Sequence, residues 1–258
     1  EKIVSQNKNK NYLLFLNSPN NPCGLNCENL KELSSIIKKY NLIVLSDEIY
    51  SDLTFENNYK SISEFCPEQT IISNGLSKWC GAGGWRLGYF VIPDKLSNII
   101  LTLKVLASET FTSVSSPIQY AALAAFKNNH NIYLTKSRNI LKALGNYMFE
   151  NLRSNNVLIS KPQGGFYIMP EFLNKKFISS EKLCEEILDK TGVAALPGSD
   201  FGFNSDKMIT RLSFTDFDGK KFLEGINTYN QLEDEVIEKY APNVVQGIQK
   251  LSKWAKNL

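Results

Sequence analysis

Histidine is almost absent from this 258-residue sequence, because the single histidine is His130 in the polar stretch KNNHN. A Ser-His-Asp or Cys-His mechanism would depend entirely on that residue. Histidine-rich metal sites are excluded. The polar setting of His130 favours a solvated connection between helices over a catalytic role.

The sequence also lacks paired cysteines and long apolar runs. Its cysteines number five, an odd count without CxxC units, and they are Cys23, Cys27, Cys66, Cys80 and Cys184. Neither a disulfide framework nor a zinc ribbon is indicated, so we expect reduced thiols. No run approaches the roughly 18 apolar residues of a membrane span, and no signal peptide opens the chain. These features predict a cytoplasmic protein that does not bind membranes.

Charge of one sign is not in excess either. The 29 basic and 26 acidic residues give a net charge of +3, which is too small and dispersed to indicate a nucleic-acid partner. The apolar content of 43% allows a sizeable core in one large or two modest domains.

Strand-like and helical patterns alternate in the first half of the chain. Nearly continuous apolar runs at 12–17, 42–50, 70–73 and 87–92 predict buried strands, and 28–40, 95–107 and 116–126 have helical spacing. Alternation of this kind indicates an α/β fold with a mostly parallel sheet covered by helices on both faces.

The second half has a different character. A helical pattern from about Asn131 to Leu152 is followed by shorter strands mixed with helices, with strands predicted at 156–160, 165–169, 193–196 and 208–214. We therefore predict a large domain over 1–140 and a smaller α+β domain over 141–258, with the boundary inside the long helix.

The segment SNGLSKWCGAGGWRLGY (73–89) resembles a nucleotide-binding loop at first sight. A GxGxxG fingerprint beginning at Gly81 fails, because its third position is Arg86. A Walker loop fails as well, since Lys78 precedes the glycines. A lysine after one strand and an arginine before the next remain to be explained.

Polar residues follow successive predicted strands. The turn NSPNNPCG (17–24), Asp47, Tyr50 and Lys78 all lie at or just after the carboxyl end of a strand. Each alone is compatible with a turn, a cap or a solvated side chain. In open α/β sheets, however, ligand-binding groups collect at this edge, which favours a shared site.

Six segments in order carry a family resemblance: PNNPCG, SDEIY, SKWCGAGGWRLGY, GGFY, LPGSDFG and RLSF. Together they resemble the fold-type-I pyridoxal phosphate enzymes, specifically the class I and II aminotransferases. The resemblance implies pyridoxal phosphate as cofactor, an amino acid and a 2-oxo acid as substrates, and a homodimer. It also implies that the chain is a large cofactor-binding domain lacking its N-terminal portion, followed by a smaller domain.

The resemblance further implies a role for each site residue. Lys78 would form the internal aldimine and move a proton, and Asp47 would keep the pyridine nitrogen protonated. Tyr50 and Asn21 would contact the phenolic oxygen. Two residues would bind the phosphate, Arg86 and Ser77.

Arg211 would grip the substrate carboxylate, with Asn21 also in contact with the substrate. Alternatively, Arg211 forms a surface ion pair on an edge strand. Gly75 departs from the family pattern, because a phosphate-binding serine often occupies that position. Ser73 or Asn74 are the candidates to compensate.

We therefore predict a pyridoxal phosphate-dependent aminotransferase. A carbon-sulfur lyase or an aminocyclopropane carboxylate synthase-like enzyme would use the same lysine, aspartate and arginine. A non-enzymatic binding module or an inactive fragment is a further alternative, since we expect the 258 residues alone to lack part of the site and not to turn over.

Overall fold

The computed structural model describes residues 2–6, 10–173, 176–226 and 232–258. The chain divides into two compact units. The first comprises Glu1–Pro19, Asn26–Leu53 and Asn57–His130, and the second Asn20–Leu25, Thr54–Glu56 and Asn131–Leu258. Residues 131–140, which the predicted boundary assigns to the large domain, belong to the second unit.

The first unit contains a four-stranded sheet. Its elements, among the described residues, are α1 (Lys2–Gln6), β1 (Leu13–Asn17), α2 (Leu30–Lys39), β2 (Ile43–Asp47), β3 (Thr70–Gly75), β4 (Gly88–Val91), α3 (Ile99–Thr110) and α4 (Ser116–Lys127). The strand order is β1-β2-β3-β4. The pairs β1-β2 and β2-β3 are parallel, and β3-β4 is antiparallel. The predicted α/β class with a mostly parallel sheet is confirmed.

Helix α2 contributes to the core on one face of this sheet. Its residue Ile37 and the β2 residue Val44 are both completely buried, in a cluster that includes Leu42. The apolar side of an amphipathic helix is stabilised by this burial. Lys38 and Lys39 in its last turn complement the negative end of the helix dipole.

The opposite face of the sheet carries exposed apolar side chains. Leu13, Phe15 and Asn17 are two residues apart along β1. They therefore share one face of the sheet, because side chains two apart on a strand point the same way. Leu13 is 62% exposed, Phe15 61% and the β4 residue Phe90 54%. The helices that the structure describes thus leave these three side chains of the sheet largely uncovered.

The second unit is an α+β structure, as predicted. Its described elements are α5 (Asn131–Leu152), β5 (Val157–Leu158), β6 (Tyr167–Ile168), β7 (Glu171–Phe172), α6 (Ser180–Thr191), β8 (Leu196–Pro197), β9 (Thr210–Ser213), α7 (Gly219–Gly225), α8 (Asp234–Tyr240) and α9 (Pro242–Ala255). Helices α5 and α9 pack together and bury Leu144 and Leu251 completely.

Two small antiparallel sheets complete this unit. Strands β5 and β7 form one pair, and β6-β9-β8 form the other sheet with β9 in the centre. The predicted strand at 193–196 is reduced to its last residue, because pairing with β9 begins only at Leu196 opposite Arg211. Arg211 therefore lies on the central strand of this sheet, whereas its alternative interpretation placed it on an edge strand.

Candidate active site

Asp47 is held at the end of β2 by its neighbours in the first unit. The parallel register places Asn17 beside it, and the Asn17 Nδ2 donates to Asp47 Oδ2 at 3.1 Å. The backbone N–H of Ile49 donates to Oδ1 at 3.4 Å. Sequence reasoning quoted Asn17 in its turn motif without a role, although its position at a strand end next to Asp47 was the available signal.

Burial sets the electrostatics of Asp47. The carboxylate is half-buried, and loss of water raises its pKa, with a smaller lowering from the Ile49 hydrogen bond. Within the described ranges, no lysine or arginine forms an ion pair with it. A partly desolvated carboxylate in this state is stabilised by a cationic ligand.

Lys78 lies in the loop between β3 and β4. The backbone N–H of the completely buried Leu76 donates to Leu87 O at 3.2 Å, and Ala82 N–H donates to Leu76 O at 3.2 Å, so this loop is tied at its base. The Lys78 Nζ lies 5.6 Å from the centroid of the Tyr50 ring. Tyr50 is buried, so its ring is a fixed neighbour of the amine.

Arg86 ends the glycine segment with its backbone in the left-handed region, at a φ of 53°. Its Nη1 donates to Gly83 O at 2.7 Å. The side of Gly83 faces Ser77, since a Cβ built there would lie 3.8 Å from Ser77 O. The exposed guanidinium forms no ion pair with any carboxylate in the described part of the chain, which leaves donors for an anion.

The close approach of β3 and β4 explains why position 75 is glycine, where the family often has serine. It pairs with Gly88 between β3 and β4, and a Cβ at Gly75 would lie 2.8 Å from Leu87 O and 3.1 Å from Gly88 Cα. The two backbones approach too closely for a side chain. Of the two candidates to compensate, Asn74 already uses its Oδ1 to accept from Gly75 N–H at 2.7 Å.

We predict that Gly75→Ser destabilises the protein by about 1–3 kcal/mol, because the added side chain overpacks two backbones. Gly84→Ser is the matched control, since a Cβ at Gly84 meets nothing within 4 Å. Denaturant unfolding of both variants measures the difference. Equal stability of the two variants would show that the strand contact is not tight.

Arg211 and Asn21 meet in the second unit. The Arg211 Nη1 donates to Asn21 Oδ1 at 2.7 Å. The turn bearing Asn21 is fixed by Asn20, whose Oδ1 accepts from Cys23 N–H at 3.1 Å and Leu25 N–H at 3.2 Å. Arg211 forms no ion pair with a carboxylate among the described residues, which argues against the surface ion-pair interpretation.

Two aromatic rings lie against the Arg211 guanidinium in this unit. Its Cζ lies 4.2 Å from the Tyr167 ring centroid and 4.6 Å from that of Phe201. Sequence reasoning quoted GGFY and LPGSDFG as motifs but assigned no role to these two aromatics. Aromatic residues within motifs that surround an arginine were the signal available.

His130 contacts a helix carbonyl and an aromatic ring. A ring nitrogen, Nε2, lies 2.8 Å from Ala125 O near the end of α4, and the ring centroid lies 5.7 Å from that of Trp79. The five cysteines are free thiols. No group of three metal-ligating residues occurs among the described residues. Of the helices that the structure describes, none is both long and apolar enough to cross a membrane.

A solved aminotransferase structure has a similar architecture. The alanine aminotransferase from Pyrococcus furiosus superimposes with a TM-score of 0.76 and 28% identity, over 95% of this chain and 58% of that structure. The fold is thus that of the fold-type-I pyridoxal phosphate enzymes.

The family follows from the sequence comparisons. The family model for aminotransferases of class I and II matches residues 1–226, and the chain belongs to that family. It is 37% identical over 199 residues to a probable N-acetyl-LL-diaminopimelate aminotransferase from Bacillus subtilis, covering 76% of this chain and 49% of the relative. It is 30% identical over 236 residues to an aspartate aminotransferase from Sulfolobus acidocaldarius, covering 88% and 58%. The chain thus spans about half the length of these relatives. The family uses pyridoxal phosphate.

Proposed function

We propose that this chain belongs to a pyridoxal phosphate-dependent aminotransferase, which moves an amino group between an amino acid and a 2-oxo acid. The observation that carries the proposal is the half-buried Asp47 carboxylate, which has no cationic partner among the described residues and lies in the same unit as Lys78. A protonated pyridine nitrogen would supply a cation for this carboxylate, and the primary amine of Lys78 would bind the aldehyde of the cofactor.

The residues of the first unit fit the cofactor by their chemistry. Asp47 would accept the N–H of the ring and keep it protonated, while Asn17 holds the carboxylate in place. Lys78 would bind the aldehyde carbon and then carry a proton at Nζ to and from the substrate. Tyr50 would donate its hydroxyl to the phenolic oxygen. The bound cofactor supplies an electron sink for charge at the substrate Cα.

Two residues of the glycine segment would hold the phosphate. Arg86 has exposed guanidinium donors, and Ser77 lies beside Gly83, which the Arg86 side chain contacts. A planar guanidinium binds phosphate through two parallel hydrogen bonds.

In the second unit, Arg211 and Asn21 would bind the substrate carboxylate. Arg211 retains edge donors beyond the Nη1 hydrogen bond to Asn21, and a guanidinium binds a carboxylate through a fork of two hydrogen bonds. The contact of Asn21 with the cofactor stays a prediction from the family resemblance.

The test is spectroscopic and then chemical. Addition of pyridoxal phosphate to the protein carrying this chain should produce a visible absorption band that borohydride abolishes, and an amino acid should convert the bound cofactor to pyridoxamine phosphate. Release of pyruvate and ammonia from a cysteine conjugate, without pyridoxamine phosphate, would instead identify a carbon-sulfur lyase. Absence of any band would reject the cofactor.

We expect Arg86→Ala to weaken cofactor affinity by about 10–100-fold, as loss of a charge-assisted bidentate contact does. Turnover at saturating cofactor should change much less, because Arg86 would touch the phosphate and not the reacting atoms. Titration of the absorption band measures the affinity, and Arg153→Ala in the second unit is the control. Equal cofactor affinity in wild type and Arg86→Ala would remove Arg86 from the phosphate site.

A further inference from the structure

We propose that Tyr167 and Phe201 are positioning residues that clamp the Arg211 guanidinium between their rings, so that a carboxylate site exists before any substrate arrives. The inference rests on the proposed role of Arg211 in binding the substrate carboxylate. Beyond that role, the inference says that the two rings hold the guanidinium in its binding orientation before substrate binds.

The small sheet of the second unit builds this clamp. Tyr167 of β6 pairs with Ser213 of β9, so Arg211 is its diagonal neighbour two residues away on the same face. Leu196 of β8 pairs with Arg211, and the chain then turns through a short helix, Gly198–Phe201, that brings Phe201 back to the arginine. The Arg211 Cζ lies 4.2 Å from one ring centroid and 4.6 Å from the other.

The shape of guanidinium explains what the rings do. Its N–H groups all lie in one plane, so its two faces form no hydrogen bonds and are weakly hydrated. Aromatic rings attract the cation through their negative faces and displace water from it. The edge stays available for hydrogen bonds, and a carboxylate can meet it only in the plane of the guanidinium.

The turn bearing Asn21 is coupled to the same clamp. A Cβ at Gly24 would lie 2.7 Å from Tyr167 O and 2.9 Å from Gly164 O, and the φ of Gly24 is +70°. This close approach needs glycine, and it places the turn of Asn21 directly on the β6 residue that covers Arg211. Asn21 then accepts from Nη1 and fixes the rotation of the plane.

In the described part of the chain, no charged side chain forms an ion pair with the guanidinium. The described residues include no carboxylate paired with Arg211, so an acidic partner does not compete with the substrate. Among the described residues, two aromatic rings and the Asn21 amide oxygen contact the guanidinium. Removing a ring should therefore free the side chain and add an ordering cost to carboxylate binding.

The experiment uses the cofactor-free protein carrying this chain, with butyrate as the probe, and follows the NMR signals of the Arg211 side chain. In wild type, the arginine protons should be shifted upfield by the rings before butyrate is added. Butyrate should move the Nε–H signal, and butyramide should not. Phe201→Leu should weaken butyrate binding by about tenfold, whereas Phe201→Tyr keeps the ring and should stay within about twofold. Tyr167→Leu and Tyr167→Phe form a second pair with the same expectation.

The outcomes separate this inference from the proposed function. Unshifted Arg211 protons in wild type, or equal butyrate affinity in Phe201→Leu and Phe201→Tyr, would overturn the clamp and leave Arg211 as a carboxylate ligand. No response of wild type to butyrate would overturn the preformed site. Neither result affects capture of pyridoxal phosphate by Lys78, which is measured separately by its absorption band.

Discussion

Replacement of Lys78 by alanine is expected to lower transamination by about 10⁴-fold, the upper range for loss of a positioned proton carrier. The same substitution removes the amine that would bind the aldehyde of the cofactor, so two functions are lost together. Single-turnover conversion of bound cofactor to pyridoxamine phosphate measures the effect. A small primary amine added to Lys78→Ala should restore part of the rate, because it can carry the proton.

Lys95→Ala is the matched control for Lys78. Lys95 belongs to the same unit but is half-exposed and forms an ion pair with Glu68 at 3.2 Å, and exposed pairs of this kind contribute little. Its replacement should leave the rate unchanged. A Lys78→Ala protein that turns over at the wild-type rate would remove this lysine from the mechanism.

Replacement of Asp47 by alanine should lower turnover by about 10³-fold, while cofactor affinity falls much less, because the ring nitrogen loses the partner that keeps it protonated. Asp94→Asn is the control, since this aspartate is exposed in the same unit. Turnover at saturating cofactor and titration of the absorption band separate the two effects. Equal losses in both quantities would contradict the assigned role.

The same residue predicts a dependence on pH. Burial raises the pKa of Asp47 above the usual range of an aspartate, so on acidification it takes up a proton earlier than an exposed carboxyl. The neutral form cannot stabilise a protonated ring nitrogen. Cofactor affinity should therefore fall as the pH drops through the raised pKa, and this component should be missing in Asp47→Ala. Persistence of the same pH dependence in the variant would assign it to another group.

The sequence predicted those parts of the fold that depend on local pattern. The strand ending at Asp47 and the helix from Asn131 to Leu152 are visible as a continuous apolar run and a long helical period. Whether other elements cover each face of the sheet could not be predicted from these local patterns. The exposure of Phe15 depends on which elements pack on that face, and apolar periodicity does not report it.

For the candidate site, too, local motifs predicted some residues but not the contacts between them. Motifs identified Asp47, Lys78 and Arg211, because those residues follow strands or lie in family segments. Their partners depend on the tertiary fold, which the motifs do not report. The hydrogen bond from Asn17 to Asp47 arises from the parallel register, and the clamp on Arg211 arises from two strand pairings between distant segments. The need for glycine at position 75 likewise arises from the tertiary fold, because Leu87 O lies close to the position that a side chain there would occupy.

Peptide mapping can establish whether Lys78 is the amine that captures pyridoxal phosphate. The protein carrying this chain is incubated with the cofactor, reduced with borohydride, digested and analysed by mass spectrometry. We expect a single reduced adduct on the peptide that contains Lys78. An adduct on another lysine, or no adduct above that of the denatured protein, would contradict it.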